Sequence, residues 1–198
     1  MTTGRLQAFS DGVIAILITI MVLELRTPDG GHWDDLRKDV PVLLAYVLSF
    51  VLVGIYWTNH HHMLAVVHTV TGAALWANLH LLFWLSLVPF TTDWMSENDF
   101  ASAPVAAYGI DLLACAVAYF ILQHVLQRAD GEDSVLHRAV GTDAKGKASA
   151  LVYVVGIALS FVDRWFGVVA YVVVALLWFI PDRRVERALA TGAPPLTD

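Results

Sequence analysis

Residues 8–25 read AFSDGVIAILITIMVLEL. Between Asp11 and Glu24 no residue carries a charge, and Thr19 alone is a polar side chain. With its flanks the run approaches the ~20 residues that an α-helix needs to cross ~30 Å of hydrocarbon. Period-2 alternation is absent, which argues against a membrane β-strand. No small-residue cleavage site follows the run, so a removable signal is not expected.

Five more apolar runs follow, at about 41–66, 73–92, 103–127, 147–162 and 165–181. The one at 147–162 is short and must thin the bilayer or borrow flanking residues. The composition agrees: 198 residues are 58% hydrophobic and 15% charged, with a mean hydropathy of +0.63. That excludes a soluble enzyme domain and a disordered chain. A net charge of −6 argues against nucleic acid as a partner. The reading is an all-α, polytopic membrane protein with six transmembrane helices in one domain, 1–187, and a short tail, 188–198.

Orientation follows from lysine and arginine. Arg5, Arg128, Arg138, Lys145, Lys147, Arg183, Arg184 and Arg187 fall on one side, against Arg26, Arg37, Lys38 and Arg164. Both termini are expected in the cytoplasm of a cell whose plasma membrane holds the protein. The acidic segment 93–99 is expected as an outer loop. Trp33, Trp94, Trp165 and Trp178 fall at the expected interfaces. Cys115, the single cysteine, is expected as a buried thiol.

Ionisable groups in hydrocarbon are costly and each needs an account. Asp11 sits one turn into the first helix, where a carboxylate is favoured by the helix dipole. It reads as a polar clamp between helices or as one of a ring attracting cations. Asp111 lies within the fourth run with no evident partner. Glu24 closes the first run and reads as solvated, or as part of a pore mouth. His60, His61 and His62 are spread by 100° steps around a helix, so neighbours do not share a metal easily, and no i, i+4 histidine pair exists. Hydrogen-bonded partners at a helix junction, pH sensing and metal binding all stay open for them. No metal and no cofactor is assigned.

Three segments carry a family resemblance. R-x-x-x-F-S-D (Arg5, Phe9, Ser10, Asp11) opens the first helix. YWTNHHHML contains Trp57, His60 and His61. LWANLHLLFWLSLVPFTT contains Trp76, Asn78, Leu79, Pro89 and Phe90. Together they resemble the transmembrane protein 175 family, the endolysosomal potassium channels and their bacterial single-repeat relatives. The likeness is strong over the first half and rests on helix count in the second.

The resemblance implies a six-helix subunit, a homotetramer in the bilayer, and a central pore lined by the first helix. It implies a channel for potassium and other monovalent cations that lacks a TVGYG carbonyl filter. Counted from F-S-D, the constriction falls on Ile16, Ile20 and Leu23, with Thr19 beside them and Gly12 and Glu24 at the entrances. Arg5, Phe9, Ser10, Asp11, Trp57, His60, His61 and Asn78 would tie the first helix to the next two. Spacing alone does not choose this stripe, because Ile14, Ile18 and Met21 form an equally good one.

Two other function classes compete. A secondary cation transporter would show paired Gly or Pro interruptions near the midplane, and only Gly109 and Gly156 hint at bends. An intramembrane enzyme or histidine-based metal protein would need a set such as HExxH or GxSxG, and neither is present. The chain is therefore not read as an enzyme, and no catalytic residue is assigned.

Overall fold

The computed structural model describes residues 2–25, 27–131, 136 and 143–179. The helices are α1 (Thr3–Leu23), α2 (Trp33–Lys38), α3 (Val40–Ala65), α4 (Gly72–Leu85), α5 (Val88–Glu97), α6 (Ser102–Asp130), α7 (Ala144–Ser160) and α8 (Arg164–Phe179). No strand occurs among the described residues. Four stretches are long and apolar enough to cross a membrane: α1, α3, α4 with α5, and α6. The last two runs of the sequence form α7 and α8, of 17 and 16 residues. At 1.5 Å per residue these are about 24–26 Å long, short of ~30 Å of hydrocarbon. The expected boundary at 187 and the basic residues Arg26, Arg138, Arg183, Arg184 and Arg187 lie outside the described residues.

Local chemistry sets the helix ends. Pro41 sits in the first turn of α3 and Pro89 in that of α5, where a missing N–H costs nothing. Thr71 caps α4 by accepting from the Ala74 N–H at 3.2 Å. Asp143 caps α7 by accepting from the Gly146 N–H at 3.2 Å. Gly131 ends α6 with φ of 92°, a conformation that glycine adopts without Cβ strain.

Two readings of the sequence are corrected here. The run at 73–92 is not one helix, because it breaks at Ser86–Leu87 between α4 and α5. Pro89 cannot donate to the carbonyl of Leu85, so the helix restarts rather than continues. The acidic segment 93–99 is not a loop, since α5 carries Asp93 and Glu97 as helix residues. The turn comes at Asp99 and Phe100, whose φ values are 49° and 56°. Arg164 donates to the Asp99 carbonyl at 3.0 Å, and Phe100 stacks on Trp165. These contacts hold the strained turn against the start of α8.

α6 is the spine. It packs on α4, α5, α7 and α8, while α1 packs on α3 and α4. Cys115 lies fully buried on it. Gly109 and Gly156 were candidates for bends, but each lies inside a continuous helix. Their missing Cβ atoms make room for neighbours: Gly109 for Tyr171, and Gly156 for Ala170 and Tyr171. Tyr171 then donates to the Val105 carbonyl at 3.2 Å.

A methyl group at Gly109 collides with the Tyr171 hydroxyl and displaces it from Val105. Gly109→Ala is therefore expected to destabilise by ~1–3 kcal/mol, the usual cost of overpacking. Gly72→Ala, which meets nothing within 4 Å, is expected to leave stability unchanged or slightly raised. Thermal unfolding of the purified variants in detergent checks both.

Candidate functional site

α1 is apolar on every side, yet the rest of the chain covers only one. Leu6, Ser10, Ile14, Leu17 and Met21 are buried, at the i, i+4, i+7 spacing of a single helix face. The competing stripes therefore part company. Ile14 and Met21 are 1% and 2% exposed, whereas Ile16, Ile20 and Leu23 are 58%, 40% and 77% exposed. Gly12 and Thr19 are exposed as well. The Thr19 hydroxyl donates to the Ile16 carbonyl at 2.9 Å, which leaves its lone pairs facing outward. Glu24, at the C-cap of α1, is exposed.

A hydrogen-bonded relay holds the buried face in place. His60 Nε2 lies 2.7 Å from Asn78 Oδ1. Asn78 Nδ2 donates to Ser10 Oγ at 3.0 Å, and Ser10 Oγ donates to the Leu6 carbonyl at 2.9 Å. With the His60 proton on Nε2, each member donates once along the chain. Ser10, His60 and Asn78 are all completely buried. Nearer the surface, Trp57 Nε1 donates to Asp11 Oδ1 at 2.9 Å.

His61 Nδ1 lies 2.7 Å from Gln7 Nε2, and Trp57 and His61 are in ring contact. Ser10, Asp11, Trp57, His60, His61 and Asn78 are thus brought together at the meeting of α1, α3 and α4. Arg5 and Phe9 are not: both side chains face outward from α1. Thr3, which donates to the Val67 carbonyl at 3.2 Å, and Gln7 are members that the sequence reading missed. Both lie within a turn or two of the motif residues, and a polar side chain that close to an apolar run was the available signal.

A second buried polar seam lies at the α4–α5 break. Thr91 Oγ1 lies 3.0 Å from Asp111 Oδ2, so Asp111 has a partner that the sequence did not disclose. Ser49 reaches Thr92 at 2.7 Å and Tyr108 at 2.8 Å. Among the described residues, no three His, Cys, Asp or Glu side chains converge in a way that could hold a metal ion. His60 and His61 are turned instead to Asn78 and Gln7.

Known proteins resolve what this arrangement belongs to. Residues 5–89 match the family model of the endosomal/lysosomal potassium channel TMEM175. A potassium channel of Chryseobacterium sp. is 53% identical over 96% of this chain and 98% of its own length. One of Streptomyces collinus is 32% identical over 89% and 91%. The crystal structure of a lysosomal potassium-selective channel TMEM175 homolog from Chamaesiphon minutus superposes with a TM-score of 0.81. It is 30% identical, and the match covers 91% of this chain and 97% of that one. The chain belongs to the TMEM175 family.

It is accordingly a multi-pass membrane protein of the cation-channel class, and its family is not one of enzymes. The residues matched by the TMEM175 model, 5–89, include α3, α4 and all of α1 but its first two residues. The polar relay therefore lies inside the part that defines the family.

Asn78 is the junction of the relay. Asn78→Leu leaves the buried His60 Nε2 and Ser10 Oγ without their shared partner. The expected loss is about 1–3 kcal/mol per unsatisfied group, read as a lowered unfolding temperature. Trp57→Phe, at a half-exposed pair, is expected to cost clearly less. Equal stability of the two variants would show that the relay does not hold α1.

Proposed function

We propose that this chain is one subunit of a homotetrameric, potassium-preferring channel whose pore is lined by α1. The observation that carries this reading is the uncovered stripe of Gly12, Ile16, Thr19, Ile20 and Leu23 on a helix whose opposite face is clamped. It is supported by the names of the relatives, which are potassium channels of bacteria. On this reading α7 and α8 complete six spans, both termini lie in the cytoplasm, and the plasma membrane is the host. Residues 1–187 form the channel domain, followed by the tail 188–198.

Four Ile16 side chains meeting on the symmetry axis make a narrow, dry ring that gates by dewetting. When the ring widens slightly, a passing ion sheds part of its water. Potassium loses hydration more cheaply than sodium and is preferred. No carbonyl cage replaces the lost water, so selectivity is modest. Ile20 and Leu23 extend the apolar passage outward, and the outward lone pairs of Thr19 offer oxygen beside the constriction. Gly12, with no side chain, widens the inner approach, and Glu24 draws cations to the outer mouth. The Ser10–Asn78–His60 relay supports α1 rather than touching ions.

The test is flux into liposomes from purified protein, comparing potassium, sodium and caesium. Ile16→Asn wets the ring, so leak is expected to rise severalfold and the potassium preference over sodium to shrink toward none. Ile14→Val, on the clamped face, is expected to leave selectivity unchanged. Unaltered flux and selectivity in Ile16→Asn would sink the pore assignment.

A further inference from the structure

Between α3 and α7, against α6 and α8, the packing leaves a cavity of about 230 Å³. Its walls are mostly apolar, with Leu52 from α3, Val117 and Phe120 from α6, and Ala150 from α7, beside the rings of Tyr56, Tyr119 and Tyr153. It is not sealed, because Val117 and Phe120 are exposed to the surroundings. It lies along α3 and α6, which are long and apolar enough to cross a membrane, so hydrocarbon chains are what it meets.

The end of the cavity has a different chemistry. Lys147 and Ser149, in the first two turns of α7, line it together with Trp178. Trp178 Nε1 donates to Ser149 Oγ at 2.8 Å, and the Lys145 ammonium stands 4.7 Å from the centre of the Trp178 ring. Asp143 also lines this end, but its carboxylate accepts from the Gly146 N–H as the cap of α7. Lys147 is exposed at this end. A tryptophan beside lysines is also the composition of a membrane interface, which sets the depth of this end. From Asn59 to Leu52 along α3, the apolar part runs about 10 Å inward from there.

We propose that this cavity seats one acyl chain of a phospholipid whose anionic headgroup lies against Lys145 and Lys147. The apolar walls take the chain. The lysines select the charge of the headgroup, as basic pockets between transmembrane helices do. The site is on the flank of the bundle, away from the outer face of α1. It depends on the helices spanning the membrane and not on the pore reading, so either can fail alone.

Native mass spectrometry of the full-length protein tests it, using dioleoyl phosphatidylglycerol and dioleoyl phosphatidylcholine, which share chains and differ in headgroup charge. Phosphatidylglycerol is expected to be retained in preference. Lys147→Gln, at an exposed side chain, is expected to reduce that retention about fivefold, the worth of one lysine near an anionic surface. Ala150→Phe fills the cavity and is expected to abolish the preference, with elution volume and unfolding temperature checking that the variant is folded. Should it not fold, Lys147→Gln decides alone. Equal retention of the two lipids by the unaltered protein would overturn the site, as would undiminished phosphatidylglycerol retention in a folded variant of either kind.

Discussion

The rotation of α1 about its own axis is fixed by Ser10. Hydrophobicity cannot fix it, since the helix is apolar all round and lipid accepts an isoleucine as readily as a neighbouring helix does. A hydroxyl or amide in hydrocarbon must find a partner. Ser10 meets Asn78 Nδ2 at 3.0 Å, and Asn78 is held in turn by His60. Turning α1 by one residue, 100°, would put Phe9 or Asp11 in the place of Ser10, an aromatic ring or a carboxylate where the relay has a hydroxyl. Everything outward of α1 follows from that one constraint. With Ser10 inward, Ile14, Leu17 and Met21 are buried and Ile16, Ile20 and Leu23 are left out.

The same logic recurs at the other helix seams, in each case with few polar atoms. Ser49 joins α3 to α5 and α6 through Thr92 and Tyr108. Thr91 joins α5 to Asp111 on α6. Tyr171 joins α8 to the Val105 carbonyl of α6, and Trp178 joins α8 to Ser149 of α7. Between these points the helices approach closely through small residues, such as Gly109 under Tyr171 and Gly156 beside Ala170. In a membrane the apolar effect does not distinguish a helix partner from a lipid. Specific pairing is left to hydrogen bonds and close packing of this kind.

This explains which features were legible in the sequence. Four of the spans were, because a run such as 8–25 has one physical reading. Of the relay, His60 was, because an ionisable residue in an apolar run demands an account, while Ser10 and Asn78 came only with the family resemblance. The partners were less so. Asp111 looked alone because its partner is a threonine, a residue mild enough to pass unnoticed inside an apolar run, and Ser49 escaped for the same reason. The break between α4 and α5 was missed although Pro89 marked it, because the run on either side stays apolar. The choice between the stripes of Ile14 and Ile16 was beyond periodicity altogether. Equal hydrophobicity on two faces carries no sign of which is buried, and only the position of Asn78 in space separates them.

Exposure of apolar side chains does not by itself make a pore face, because α8 exposes a longer row, including Phe166, Val169, Val173 and Leu176. The two surfaces differ in what interrupts them. The exposed row of α8 is unbroken hydrocarbon, which lipid covers at no cost. The row on α1 contains Gly12, whose added Cβ would meet nothing within 4 Å, and Thr19, whose proton is spent on Ile16. A bare stretch of backbone and an oxygen with outward lone pairs gain nothing from acyl chains. They do gain from water and passing cations, which an axis shared by copies of α1 would supply. Arg5, seven residues before Gly12, lies on the same line of the helix, and a guanidinium charge suits water better than a lipid tail. On the proposed reading, this face meets water at its ends and excludes it at Ile16.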